Sequence, residues 1–166
     1  MLLVLTPVAA AGHGPGVLAA WLCLGAYMIH QWEEHDGDRF RRYVNDRLGG
    51  GREILTPRAI LWVNLPLVWG LNVACVLAAA AGSDGWAAPA LYLVLVNGLG
   101  HAAQAIRFRE ANPGLWSALL IFVPLGLWGL WATSPSAALH LLGLALSLGL
   151  HLLILRDVVF PPKAAP

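Results

Sequence analysis

Charge is scarce in this chain. Ten Lys and Arg and nine Asp and Glu make up only 11% of its 166 residues. A soluble domain carries roughly 25% charged residues because its surface has to be wetted, so an ordinary water-facing globule is excluded. The few basic residues form no patch interleaved with aromatics, which argues against nucleic acid as a partner. Cysteine is nearly absent too. Cys23 and Cys75 lie in separate apolar runs with no CxxC spacing, and read as two inert buried thiols. There is no Gly-rich nucleotide loop, no haem motif and no Ser/His/Asp order, so those cofactors and mechanisms have no support.

Apolar residues fill the space. They make up 58% of the chain, and the mean hydropathy is +0.68. A helix needs about 20 predominantly apolar residues to cross the hydrocarbon core of a bilayer. Five runs meet that length, over roughly 15–33, 58–81, 88–107, 114–132 and 136–157. Turn residues separate them: Gly49-Gly50-Gly51, Gly82-Ser83-Asp84-Gly85, Asn112-Pro113-Gly114 and Ser134-Pro135-Ser136. Pro57 and Pro89 suit first helical turns, where a missing N–H costs nothing, whereas Pro66 and Pro124 fall inside spans and predict kinks. The expected fold is an all-α integral membrane protein, a compact bundle of about five transmembrane helices. Residues 1–160 form one domain, and 161–166 a disordered tail. The longest loop is expected over roughly 34–57. Residues 2–11, ending at Ala9-Ala10-Ala11-Gly12, resemble a signal peptide but lack a positive n-region. Cleavage there would leave the topology unchanged.

Orientation follows from the cations. Arg39, Arg41, Arg42, Arg47, Arg52 and Arg58 lie between the first two spans or at the start of the second. Arg107 and Arg109 follow the third, and Arg156 and Lys163 close the fifth. With five spans all ten fall on one side, which the positive-inside rule makes cytoplasmic. The N-terminus then faces outward and the C-terminus inward. The predicted location is the cell inner (plasma) membrane, multi-pass, with membrane lipid as a partner. Trp62, Trp86, Trp116 and Trp131 lie near span ends, as interfacial anchors do.

Orientation converts sequence position into depth, at about 1.5 Å per helical residue. His30 precedes the cytoplasmic end of the first span. Asn64 follows Arg58, His101 precedes Arg107 with Asn97 one turn deeper, and His151 precedes Arg156. Four helices thus place polar side chains in one slab near the cytoplasmic face. Ionisable groups at such a depth are costly and mark functional sites by default. On the first helix Cys23, Tyr27, His30 and Glu34 share a stripe, with Glu33 on its flank. Asn97, His101 and Gln104 share a stripe on the third, where Gly98 and Gly100 allow close approach. His140 lies on the face of His151 but roughly 16 Å along the axis, so it can line a path without ligating the same ion. His13 is outside the first span.

The ordered set His30-x-x-Glu33-Glu34, Asn97-x-x-x-His101 and a single His151 in the last helix resembles the HXXEE family of bacterial membrane proteins. Tyr27, the Phe40/Tyr43/Asn45 segment and Asn112-Pro113-Gly114 strengthen the likeness, which runs from about Gly25 to about Arg156. His35-Asp36-Gly37-Asp38 departs from it, where an aromatic and a Pro-Gly-Gly-like turn are expected. The resemblance implies membrane location and a polar core, and no reaction.

The residues themselves suggest the chemistry. Histidine and carboxylate bind zinc, iron, manganese or nickel, and the lack of thiolate disfavours copper(I) and Fe–S clusters. The predicted metal ligands are His30, Glu34, His101 and His151, for a divalent transition metal with zinc favoured and iron or manganese as alternatives. Glu33 or Glu34 is the expected general base toward a water that the metal activates, and Asn97 orients a ligand or donates to an oxyanion. A dinuclear centre bridged by a glutamate is an alternative, short of carboxylates in the later helices. Each residue also has a plainer role: the glutamates pairing with Arg39, Arg41 or Arg42, the histidines and Asn64 or Asn97 bonding across helices, and His35, Asp36 and Asp38 forming a solvated loop or the lip of the site.

The leading expectation is a metal-dependent, hydrolase-like membrane enzyme acting on a lipid or other apolar substrate from the cytoplasmic side. A non-enzymatic proton, metal or small-solute carrier would need polar residues along its whole path, and the outer half offers only Asn72, Cys75, His140 and Ser147. A membrane scaffold whose polar cluster fixes helix packing is the third reading.

Overall fold

The first long helix, α1 (Pro15–His35), starts at a proline and carries Cys23, Tyr27, His30 and Glu34 on one fully buried stripe. The computed structural model describes residue 11 and residues 13–159, with side chains up to Leu153. The proposed leader up to residue 10 and the tail 161–166 therefore lie outside the described residues. All regular structure among the described residues is helical.

After α1 the chain turns through Gly37 and Asp38, both at positive φ (62° and 61°). It then forms α2 (Arg39–Tyr43), which continues as a π turn over Val44–Leu48. This corrects the expectation of a loop over 34–57. Phe40, Val44 and Leu48 recur every four residues and line one cavity. The surrounding arginines mask that apolar stripe in a hydropathy reading. Arg41 bonds both Asp38 and Glu53, and its guanidinium holds the Asp38 carboxyl below the usual carboxylate range. Asn45, buried, accepts from the backbone N–H of Ile54 (2.9 Å) and Leu55 (2.8 Å) and donates to Leu55 O. The segment is thereby tied down as a cap over one end of the bundle.

Four long helices follow: α3 (Pro57–Ala81), α4 (Ala88–Phe108), α5 (Leu115–Thr133) and α6 (Ala137–Val159). All five long helices lie within two residues of the spans expected from hydropathy. Thr56 caps α3 by accepting from Ala59 N–H, with Pro57 at the first position. The two internal prolines act as expected, each with an identifiable distortion. Pro66 sits inside a π turn over Val63–Trp69, and a π turn over Ala118–Phe122 immediately precedes Pro124. A proline removes one N–H and crowds the carbonyl four residues back, and a wider turn relieves the clash.

α4 is the central helix. Leu91, Leu93 and Val94 are fully buried, and α1, α3, α5 and α6 all pack on it. Gly126 and Gly129 of α5 lie directly against Leu95 and Leu91, where a Cβ would collide. At the far end Asp84 accepts from Gly16 N–H at 2.8 Å, placing a carboxylate at the α1 N-terminus. The outward faces are apolar, with Leu77, Leu99, Leu120, Leu127, Trp131 and Leu141 more than half exposed or close to it. Among the described residues two helices, α3 and α5, are long and apolar enough to cross a membrane, with mean hydropathies of 1.9 and 1.8.

Candidate metal centre

The stripe on α1 and the stripe on α4 meet at Glu34. Its Oε1 lies 3.3 Å from His30 Nε2 and 3.2 Å from His101 Nε2. One donor atom from each of the three residues falls within 4.8 Å of the others, and all three residues are buried. The imidazoles stand edge to face, with centroids 4.9 Å apart.

What surrounds the rings fixes their orientation. Ser117 Oγ donates to Gly114 O (3.2 Å), so it accepts from His30 Nδ1–H at 2.8 Å. Asn112 Oδ1 accepts from His101 Nδ1–H at 2.6 Å, while Asn112 Nδ2 donates to His101 O at 2.8 Å. Both histidines thus direct Nδ1 at an oxygen partner and Nε2 at the same carboxylate oxygen. Lone pairs and carboxylate repel unless a cation stands among them. A proton on each Nε2 supplies that cation, and so does a single metal ion shared by both imidazoles. Donors bound tetrahedrally at about 2.0–2.1 Å lie roughly 3.3 Å apart, which matches the two spacings to Glu34 Oε1. Bonding of the distal ring nitrogen to an oxygen acceptor is also how metal-binding histidines are held.

The segment Asn112–Ser117 is built around this triplet. Gly114 has φ +92°, and a Cβ on it would lie 2.8 Å from Cε1 of both His30 and His101 and 2.9 Å from Glu34 Cγ. Only glycine fits there. Glu33, beside Glu34 in sequence, points elsewhere: its carboxylate accepts from the backbone N–H of Trp116 (3.2 Å) and Ser117 (2.8 Å), at the start of α5. One glutamate of the motif thus faces the histidines and the other holds the helix that positions them.

Phe40 of α2 covers the centre, its ring 5.8 Å from that of His101 and 6.0 Å from that of His35. His35 Nε2 lies 3.8 Å from Glu34 Oε2 and 3.0 Å from Asn64 Nδ2 on α3. Below the cap is a cavity of about 230 Å³, walled by α1, α2, α3, α4 and α6. Of the shared-depth residues Asn64, Asn97, His101 and His151 line it, and the first helix contributes Glu34 in place of His30. His151 and Asn97 stand on the cavity wall and outside the His30–Glu34–His101 triplet. His151 Nδ1–H donates to Ser147 O at 2.8 Å, which leaves its buried Nε2 without a partner.

One family comparison bears on this geometry. A family model described as "Protein of unknown function with HXXEE motif" matches residues 21–129. This chain belongs to the HXXEE family. In this HXXEE protein the match takes in His30, Glu33, Glu34, Asn97, His101, Asn112, Gly114 and Ser117, and stops before α6 and His151. No curated protein and no solved structure matches the chain.

Sequence reasoning missed Asn112 and Ser117 as partners of the two imidazoles, and it placed His35 in a loop. Asn112-Pro113-Gly114 was legible as a turn, and nothing in its spacing tells which histidine the asparagine reaches. The free cysteines, Cys23 and Cys75, are buried away from the triplet in the apolar core.

Proposed function

We propose that this HXXEE protein is a multi-pass membrane metalloenzyme that binds a divalent transition metal through His30, Glu34 and His101 and performs hydrolase-like chemistry on an apolar substrate. The observation that carries this reading is the convergence of His30 Nε2 and His101 Nε2 on Glu34 Oε1, at 3.3 and 3.2 Å. Three protein donors leave a position open toward the cavity, as zinc enzymes require, and iron or manganese suits the same donors. When bound, such an ion acidifies water and polarises a carbonyl.

The residues around it divide the remaining tasks. Asn112 and Ser117 hold the imidazoles in the metal-binding tautomer. Phe40 and the cap exclude bulk water. His151, with a bare Nε2 on the cavity wall, takes the part of general base that the sequence assigned to a glutamate. Glu33 is engaged by two N–H groups, and Glu34 by the metal position. Asn97 Oδ1, also buried without a partner, faces the same space and orients substrate.

Membrane insertion is supported by α3, whose most apolar stretch is only 17% buried within the fold. A core helix of a soluble protein would be mostly covered. The proposed topology places the N-terminus outside, and the cap and the metal centre at the cytoplasmic face of the inner membrane. The carrier reading finds less support. Most polar groups of the outer half have local partners, His140 with Tyr92 OH, Ser147 with Tyr92 O, and Asn72 Nδ2 with Val68 O, while Asn72 Oδ1 has none.

The test is metal content by elemental mass spectrometry on detergent-purified protein, comparing wild type with His101→Ala and Glu34→Gln. About one equivalent in the wild type, lost in both variants while circular dichroism is unchanged, supports the reading. Folded wild type that stays metal-free after incubation with zinc, iron and manganese overturns it.

A further inference from the structure

The cavity holds more polar atoms than a metal centre uses. Gln31 Nε2, Asn97 Oδ1, Gln104 Oε1 and His151 Nε2 line it or belong to side chains that do, and each is buried without a hydrogen-bond partner. Leaving a buried polar group unsatisfied costs about 1–3 kcal/mol, so four in one space mark a place made for a polar occupant. They lie outside the triplet, and a metal with its own ligands leaves them unmet.

Their arrangement describes that occupant. Asn97, His101 and Gln104 follow one another on α4, and the step from 97 to 104 spans about 10 Å. The facing walls are hydrocarbon: Val44, Leu48, Ile60, Val63 and Leu150. The molecule is therefore elongated, with hydrogen-bonding groups along one side and a chain against the other. Three of the four unmet atoms are acceptors, which calls for hydroxyl donors, and the Gln31 amide N–H calls for a carbonyl. Among the described residues no Lys or Arg lines the cavity, and a phosphate head finds none of its usual partners there.

Access is sideways. The first half of α3 approaches α1 through the bonds Asn64–His35 and Trp69–Gln31. Among the described residues no hydrogen bond or ion pair joins α3 to α6, which packs on α4. Val63 of α3 and Leu150 of α6 both line the cavity.

We infer that the cavity binds a neutral, single-chain acyl ester of a polyol, of the monoacylglycerol class, entering between α3 and α6 with its ester toward the His30–Glu34–His101 centre. This substrate class rests on the hydrolytic reading above.

Gly100 provides the test, since it lines the cavity and a Cβ built on it meets open space. The purified metal-loaded protein is labelled with a diazirine-bearing monododecanoylglycerol, and adducts are mapped by mass spectrometry. Labelling is expected at Val63, Val96 or Leu150. It should be competed by unlabelled monododecanoylglycerol, poorly competed by dodecyl phosphate, and reduced about tenfold in Gly100→Leu. Gln104→Leu, close to isosteric, should weaken competition by about tenfold, the worth of one lost hydrogen bond. Equal competition by dodecyl phosphate, or labelling confined to outward residues such as Leu120 and Leu127, overturns the inference. Metal is measured on the same samples, so a labelled but metal-free protein counts against the metalloenzyme and not against the cavity's ligand.

Discussion

Asn112 grips His101 at two points, accepting from Nδ1–H at 2.6 Å and donating to the backbone carbonyl at 2.8 Å. The ring can neither flip nor change tautomer while both bonds hold, so Nε2 stays aimed at Glu34. Loss of an orienting partner of this kind typically lowers metal affinity 10–100-fold. Asn112→Ala is expected to weaken binding by about that factor in a chelator competition, with stoichiometry kept at saturating metal. His101→Ala should bind none. An Asn112→Ala protein with wild-type affinity would show that the asparagine serves the turn alone.

The two glutamates of the motif should separate cleanly. Glu33 holds the start of α5 through Trp116 and Ser117 N–H, whereas Glu34 touches both imidazoles. Glu33→Gln is expected to retain metal and to lose roughly 1 kcal/mol of stability, as lost helix caps do. Glu34→Gln is expected to lose the metal. Thermal unfolding and metal content, measured on both variants, read the two effects independently. Metal loss in Glu33→Gln equal to that in Glu34→Gln would contradict this division.

Glycines 100 and 114 differ in what a methyl group meets. At Gly114 it meets both imidazoles and Glu34 from a backbone with φ +92°; at Gly100 it meets nothing within 4 Å. Gly114→Ala should destabilise by on the order of 1–3 kcal/mol and displace the ligands. Gly100→Ala should stabilise by roughly 0.5–1 kcal/mol, because it removes a glycine from a helix interior. Unfolding in detergent orders the two, and a neutral Gly114→Ala would refute the packing argument.

The orientation can be read with single cysteines at exposed turns. Ser136 lies between α5 and α6, and Asp46 lies in the cap. In intact cells a membrane-impermeant maleimide is expected to label Ser136→Cys, and to label Asp46→Cys only after lysis. The buried Cys23 and Cys75 give the background. The reverse pattern would invert the proposed topology and the positive-inside reading with it.

Length and composition determined the helices. Runs of apolar residues bounded by glycine and proline admit one local solution, because hydrophobicity and turn chemistry act within a few residues. The buried stripe Cys23–Tyr27–His30–Glu34 and the common cavity of Asn64, Asn97, His101 and His151 were legible for the same reason: helical periodicity and rise convert spacing into face and depth. The cap helix was hidden because its apolar positions are fewer than its arginines, and its burial depends on a cavity made by other helices. Periodicity put Glu34 on the face of His30. Tertiary structure decided that this glutamate also meets His101, while Glu33, about 100° round the helix, holds the N–H groups of Trp116 and Ser117. It also decided that Asn112 and Ser117, far from both imidazoles in sequence, set their tautomers. Those contacts are made between helices, where rotation and close approach at Gly114 select the partner, and no local pattern records that choice.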